Sequence, residues 1–379
     1  MDRIPITIPL TGREEEEAAA EVIRSGWLTQ GPRTAEFEQT VAAYVGAATA
    51  VATANCTAAL ILALEAVGVG SGDEVVTAPY SFIATANAIV ARGAKPIFAD
   101  IDLATYNLDP ERAAEKITAR TKALMPVDQL GLPCDLDAFR ELASRHKVAL
   151  VEDAACALGS LYKGRPVGSG SLNECACFSF HPRKLVTTGE GGMITTNDGE
   201  LEARVRALIS HGATVSEVKK HSSTQFLAPS YPVCGYNYRL SDILSAVGTA
   251  QMKRLDMILA RRTELGRIYD QILGGHPRVV IPAAPEWAVP NRQSYQIRLR
   301  EADREERNRV VDAMREKGVM ATPGVADIHR QECYQRLLGP SSFPQAETAA
   351  DTCLILPLFP QMSDDDPIRC AETLIEVLG

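Results

Sequence analysis

The sequence predicts an α/β chain with a large, mostly parallel sheet covered by helices, followed by a smaller C-terminal α+β unit. Three observations predict it. Between residues 30 and 200, short apolar runs alternate with helical stretches at the spacing of βαβ units. Runs such as Ala149-Leu150-Val151 are apolar without alternation, which suits strands covered on both faces. After residue 255 the pattern shortens into two helices and three strands without that alternation. A chain of 379 residues is long enough to bury two cores. The expected division is residues 1–255, with the N-terminal helix included, and residues 256–379.

The elements follow in order. Residues 13–25 form a helix, because Glu14 to Glu17 complement its N-terminal dipole. Residues 50–54 form a strand that feeds an apolar helix running to Val67. Further strands are expected at 74–78, 96–100, 123–127, 149–152, 176–180 and 193–196, and helices at 84–92, 137–146 and 200–210. Residues 214–231 are polar, with Pro229 inside, and read as a long loop at the site. Residues 242–267 read as one long helix leading out of the large unit. The rest reads as a strand at 294–299, a helix at 305–317, strands at 318–322 and 353–356, and a final helix at 367–378.

Three stretches carry chemistry. In Ser179-Phe180-His181-Pro182-Arg183-Lys184, with Gly189-Glu190-Gly191-Gly192 following, a lysine sits between a short apolar strand and a glycine-rich turn. Glycines let backbone approach a flat ligand closely. A lysine amine attacks carbonyls when its surroundings lower its pKa. Alone, Lys184 reads as readily as a surface lysine beside a turn. In Ala149-Leu150-Val151-Glu152-Asp153, a buried strand ends in two carboxylates, and ligands of open α/β sheets sit outside such strand ends. Asp153 reads either as a helix cap or as the partner of a protonated ring nitrogen. A lysine with an acidic ring partner is the mark of pyridoxal phosphate (PLP) enzymes. In Thr53-Ala54-Asn55-Cys56-Thr57-Ala58, small polar residues open an apolar helix. A helix start of this kind takes a phosphate or carries a plain N-cap. The three together, in this order, form a sharper signal than any one of them.

On these residues the chain resembles the DegT/StrS-type PLP-dependent nucleotide-sugar aminotransferases, within the aspartate aminotransferase fold group. The resemblance runs through Gly26-Trp27-Leu28-Thr29-Gln30-Gly31-Pro32, Asn55-Cys56-Thr57-Ala58-Ala59-Leu60 and Pro79-Tyr80-Ser81-Phe82-Ile83-Ala84-Thr85-Ala86. It continues through Glu152-Asp153-Ala154-Ala155, the stretch 179–192 and Gly235-Tyr236-Asn237-Tyr238-Arg239-Leu240-Ser241-Asp242. Phe343-Pro344, Glu347 and Leu356-Pro357-Leu358 extend it toward the C-terminus. It implies a three-layer PLP-transferase fold of type I. It implies that Lys184 holds the cofactor covalently and shuttles protons, and that Asp153 partners the ring nitrogen. Phe82 would stack on the ring and Cys156 would lie near its hydroxyl. Cys56, Thr57 and Ser179 would hold the phosphate within one subunit, and Asn237 would reach it from the neighbour, making a homodimer with shared sites. Thr29, Asp128, Arg239 and His329 would lie toward the nucleotide-sugar.

The chain departs from the commoner pattern. Cys56 replaces a frequent glycine and Cys156 a frequent glutamine, while Asp128 and Leu130 stand where a histidine and an aromatic are common. Lys184 and Asp153 keep the cofactor assignment; the sugar-side contacts are the ones in question.

Composition excludes several classes. Nine cysteines form no Cys-x-x-Cys pair, so neither zinc nor a disulfide framework is expected. Six histidines show no metal-ligand spacing, and His211 and His221 lie in a polar loop. A net charge of −9 argues against general nucleic-acid binding. No apolar run approaches the roughly 20 residues that span a bilayer, and no signal-peptide core is visible near the N-terminus. These features lead to the expectation of a cytoplasmic enzyme. The family resemblance implies a reaction that moves an amino group from glutamate or glutamine to a nucleotide-linked keto-sugar, with a 4-keto-6-deoxy hexose as the default. Two alternatives stand beside it. One is a PLP-dependent sugar dehydratase, in which histidine replaces the cofactor lysine. The other is a non-catalytic binding or regulatory protein on the same fold.

Overall fold

Buried apolar strands set the centre of the chain. The computed structural model describes residues 3–215, 223–225 and 227–379. Its strands are β1 (Thr49–Thr53), β2 (Glu74–Thr77), β3 (Lys95–Phe98), β4 (Thr121–Met125), β5 (Ala149–Asp153), β6 (Leu161–Tyr162), β7 (Arg165–Pro166), β8 (Cys175–Ser179) and β9 (Gly192–Thr196). Seven of them form one sheet in the order β1-β9-β8-β5-β4-β2-β3. From β3 to β8 every pairing is parallel. Only β9 runs against its neighbours β1 and β8.

Both faces of this sheet are covered, which is why its strands are continuously apolar. On one face Val51, Val151, Cys175, Cys177 and Ile194 pack against Leu60 and Leu64. On the other, Ala52, Ala176, Phe178 and Met193 pack against Phe37 and Val41. The alternation of Cys175 and Cys177 against Ala176 and Phe178 is the two-residue period of a strand. The covering helices are α1 (Arg13–Ser25), α2 (Pro32–Val45), α3 (Cys56–Ala66) and α4 (Ala84–Ala91), with others at Leu136–His146 and Gly199–Leu208. Leu60, Leu62 and Leu64 of α3 are all buried. Each contributes about 1.5–3 kcal/mol of transfer free energy.

A second, four-stranded antiparallel sheet is built from Val279–Val280, Tyr295–Leu299, Cys353–Leu356 and Thr322–Pro323, in that order. Its core joins Ile297 and Leu354 to Leu374 of the last helix, Asp365–Leu378. Ile4 enters the same core and bridges to Val319. Ala288–Val289 pairs instead with β6, in a small third sheet with β7.

The helix expected over 242–267 is two helices, Asp242–Met252 and Leu255–Leu273. At the break Arg254 leaves helical geometry, with φ −107° and ψ 0°. Its guanidinium donates to the Leu10 carbonyl at 3.1 Å and to the Glu15 carboxylate. A sequence window of a dozen residues holds no sign of partners 240 positions away. The strand expected at 318–322 shrinks to Thr322–Pro323. The sequence reading missed α2 and the helices Glu332–Leu338 and Pro344–Thr352. In α2 the polar residues Thr34 and Glu38 are buried, so the usual amphipathic pattern is absent. Its start is capped from afar, because Asp242 accepts from the amides of Gly31 (2.7 Å) and Thr34 (3.0 Å). His221 lies outside the described residues. Among the described residues, no helix is long and apolar enough to cross a membrane.

Candidate active site

The site is assembled at one edge of the large sheet. Thr53, Asp153 and Ser179 are the last residues of β1, β5 and β8. Strand register aligns them: Asp153 lies opposite Cys177, and Gly192 lies opposite both Ser179 and Thr53. Gly192 is required there. A Cβ on it would come within 2.5 Å of the Asn55 carbonyl carbon.

Directly after β1, α3 begins. Asn55 caps it, its side chain accepting from Ala58 N at 2.9 Å and its carbonyl from Ala59 N at 3.1 Å. Cys56 and Thr57 occupy the first two helical positions, where no preceding turn offers a carbonyl. Their amides and the helix dipole make an anion seat. Ser179 flanks it, half-buried, and Cys56 Sγ lies 3.8 Å from the Cys177 carbonyl. Burial pushes the Cys56 thiol well up, so it stays neutral and does not repel an anion.

Lys184 lies in the connection from β8 to β9. Its amide donates to the His181 carbonyl at 2.8 Å. The Gln293 side chain holds the neighbouring Arg183 carbonyl at 2.7 Å. Thr187 Oγ1 donates to the Phe180 carbonyl at 3.0 Å and accepts from Gly189 N at 2.9 Å. Gly189 takes φ 86°, a conformation that suits glycine. Lys184 Nζ donates to Cys156 Sγ at 2.9 Å. Burial works to lower the Lys184 pKa, but Cys156, Cys56 and Asp153 outweigh it, and the net direction is upward.

Asp153 is almost fully buried. Its carboxylate accepts from Thr85 Oγ1 at 2.7 Å and from Ala155 N at 3.3 Å. Both donors are neutral. Burial therefore raises the carboxyl above its usual range, although Thr85, Ala155 and Lys184 each pull it down. A positively charged ring nitrogen is the partner such a carboxylate lacks. Phe82, ahead of α4, is 75% exposed, far more than a large apolar ring normally is. The residues present thus fit PLP on several counts: an anion seat, a buried acid short of a cation, an uncovered aromatic ring and an amine.

The remaining candidates are spread more widely. Thr29 is exposed in the turn between α1 and α2. Asn237 is exposed between Tyr236 and Tyr238, whose rings stack at 4.8 Å and pack toward the core. The Tyr238 carbonyl accepts from Ala54 N at 2.7 Å, tying this segment to the start of α3. Arg239 donates to Ser210 Oγ at 3.1 Å. It makes no pair with Asp242, whose carboxylate is committed to α2. His329 is buried against Phe343, with Nε2 3.1 Å from Glu347. Burial pushes Glu347 up, but the Phe343 amide, Ser342, His329 and Arg330 hold it at about 2. Next to His329, the Ile328 amide donates to the Pro79 carbonyl at 2.7 Å, so this segment braces the loop that carries Phe82. Asp128 is fully buried and faces Glu152 and Cys134.

Sequence reading missed Thr85 and Gln129. Gln129 donates to the Tyr80 carbonyl at 2.7 Å and so holds the Phe82 loop. Thr85 lies inside the Phe82 motif, three residues on, but was given no role. The available signal was that Thr85 is one of two polar residues, with Asn87, on the otherwise apolar helix Ala84–Ala91.

Comparison with known proteins places the chain. A model of the DegT/DnrJ/EryC1/StrS aminotransferase family matches residues 9–375. The spore coat polysaccharide biosynthesis protein SpsC of Bacillus subtilis (strain 168) is 38% identical, over 99% of this chain and 97% of its own. The Helicobacter pylori PseC structure, an aminotransferase involved in the biosynthesis of pseudoaminic acid, superposes with a TM-score of 0.93 at 27% identity, covering 99% of both chains. The PLP form of Spr1654 from Streptococcus pneumoniae gives a TM-score of 0.92 at 28% identity, over 99% of this chain and 98% of that one.

Proposed function

The chain belongs to the DegT/DnrJ/EryC1/StrS aminotransferase family. From that premise we propose that this PLP-dependent sugar aminotransferase moves an amino group from glutamate or glutamine to a nucleotide-linked keto-sugar, by default a 4-keto-6-deoxy hexose. The observation that carries the reading is the convergence of Lys184, Asp153 and the open first turn of α3 at the carboxyl ends of β1, β5 and β8.

Bound PLP supplies an electron sink that weakens the bond between an amino-bearing carbon and its hydrogen. The residues divide the rest of the work. The Cys56 and Thr57 amides, with the Thr57 and Ser179 hydroxyls, hold the phosphate. Phe82 would stack on the ring, and Cys156 would lie by its hydroxyl. Asp153 keeps a proton on the ring nitrogen. Lys184 would hold the cofactor covalently through Nζ and, when that amine is free, would carry the proton at the reacting carbon. Thr29 and Arg239 lie toward the nucleotide-sugar. The burial of Asp128 and His329 fits support of that region rather than direct contact. The cofactor-binding unit is residues 1–255, with residues 256–379 as a smaller unit, and the enzyme works in the cytoplasm. A screen of nucleotide keto-sugars with glutamate, read by mass, tests the substrate class. One amino-sugar nucleotide should form together with an equimolar amount of 2-oxoglutarate released from glutamate; no product from any keto-sugar would overturn the reading.

The active unit in this reading is a homodimer in which Asn237 serves the phosphate of the neighbouring subunit. Asn237 points away from the tyrosines that pack inward on either side, as strand-like alternation requires. The within-chain phosphate donors are all neutral, so a further donor is needed. Mixing Asn237→Asp with Lys184→Ala subunits checks it. Each variant alone should be inactive. A mixed dimer with shared sites has one site carrying both lesions and one carrying neither, so about half of the activity per mixed dimer returns. If Asn237 serves its own subunit, the mixture stays inactive.

A further inference from the structure

Next to Asp153 lies a buried cluster of acids. Asp128 and Glu152 are both fully buried, and their facing atoms lie within 4.8 Å of each other and of Cys134 Sγ. One oxygen of each is satisfied: Asp128 Oδ1 accepts from Cys134 N at 2.9 Å, and Glu152 Oε2 accepts from Asn173 Nδ2. The other oxygens, Asp128 Oδ2 and Glu152 Oε1, have no hydrogen-bond partner. Two ionised carboxylates only accept hydrogen bonds, so side by side in a dry site they leave both atoms unsatisfied and repel each other. A single proton placed between them turns one acid into a donor and satisfies both at once.

The pair is joined to Asp153. Glu152 precedes it on β5, and the Asp128 amide donates to the Asp153 carbonyl at 3.1 Å. We propose that Asp128 and Glu152 share one proton and act as a positioning pair for Asp153, carrying one negative charge where two would stand. The link to Asp153 rests on the role given to that residue above. Two full charges beside it would favour its neutral form and cost it the ring nitrogen. One charge leaves it ionised.

Other groups around the pair agree with this count. Cys134 approaches from the loop before the helix Leu136–His146, Cys175 from β8 and Asp153 from β5, and Asn173 donates from the segment before β8. Arg165, on β7, shares with Glu152 a narrow cleft that also involves Tyr162 and Asn173. Burial pushes Asp128 up to about 6 and Glu152 well above its usual range. Both shifts run in the direction that keeps a proton on the pair. Cys134, with its thiol driven well up by burial, is a neutral bystander.

The test uses the PLP-loaded enzyme with Asp128→Asn, Glu152→Gln and the double amide. Infrared spectra of the unmutated enzyme at neutral pH should show the carbonyl band of a buried protonated carboxyl. Each single amide should lose the band, because its N–H supplies the bridging hydrogen and the remaining acid ionises. A raised carboxyl contributes stability that is lost as pH rises through its folded pKa. The melting temperature of the unmutated enzyme should therefore fall as pH rises through about 6, and the Asp128→Asn enzyme should lack this step. The donor half-reaction should keep its acid limb in both single amides, which retain one charge. In the double amide the limb should move to lower pH, because Asp153 then faces no negative neighbour.

No protonated band in the unmutated enzyme, or a stoichiometric metal ion that both single amides release, would overturn the shared proton. An unshifted acid limb in the double amide would overturn the positioning role. If that variant fails to fold, the infrared and melting results of the single amides decide the shared proton, and their retained acid limb decides its charge count. An unmutated enzyme that binds no PLP would refute the assigned reaction and leave the infrared result standing.

Discussion

Replacing Lys184 with alanine is expected to abolish covalent attachment of PLP and to cut turnover by at least about a thousandfold, the scale of removing a positioned proton carrier. The side chain is half-buried in a turn held by other residues. The Lys184 amide, the Thr187 hydroxyl and the Gln293 side chain make bonds that do not involve Nζ. The variant should therefore fold with the melting temperature of the parent. It should still take up PLP without a covalent bond, because the phosphate seat of α3 and the exposed Phe82 ring are untouched. Absorbance after gel filtration, before and after denaturation, checks this. Cofactor that stays with the denatured chain would mean that another lysine holds it.

Asp153→Asn is expected to keep the fold and bind PLP, and to lose roughly a hundredfold or more in the donor half-reaction, as when one preorganised charge contact is removed. Asparagine preserves the shape and still accepts from Thr85, so packing changes little. It cannot hold a ring nitrogen in its protonated form as a carboxylate does. Burial already raises Asp153 above the ordinary range. In the cofactor-free chain the carboxyl therefore protonates, as pH falls, before a free one would, and PLP uptake should weaken on the acid side before an ordinary aspartate titrates. Stopped-flow bleaching of the visible absorbance by glutamate measures the loss. Near-parental rates would place the work on another group.

The residues proposed to carry chemistry stood out as candidates because each sits where local rules put it. Asp153 ends an apolar strand, Cys56 and Thr57 open an apolar helix, and Lys184 precedes a glycine turn. The strands of the large sheet were legible for the same reason, since burial on both faces leaves an unbroken apolar run. Features set by distant partners were not. Nothing near residue 254 says that Leu10 and Glu15 will draw it out of the helix. Nothing near residue 31 says that Asp242 will cap α2. Asp128 looked like a site-facing acid from its place in the motif; its burial against Glu152 depends on how β4 and β5 pair.

Borohydride reduction of the purified PLP-loaded enzyme, followed by peptide mapping, tests the central claim most directly. Reduction fixes a lysine-bound cofactor in place. The expected result is one modified peptide, with the pyridoxyl group on the lysine of His181-Pro182-Arg183-Lys184-Leu185. A modified lysine anywhere else, or none, would contradict the account.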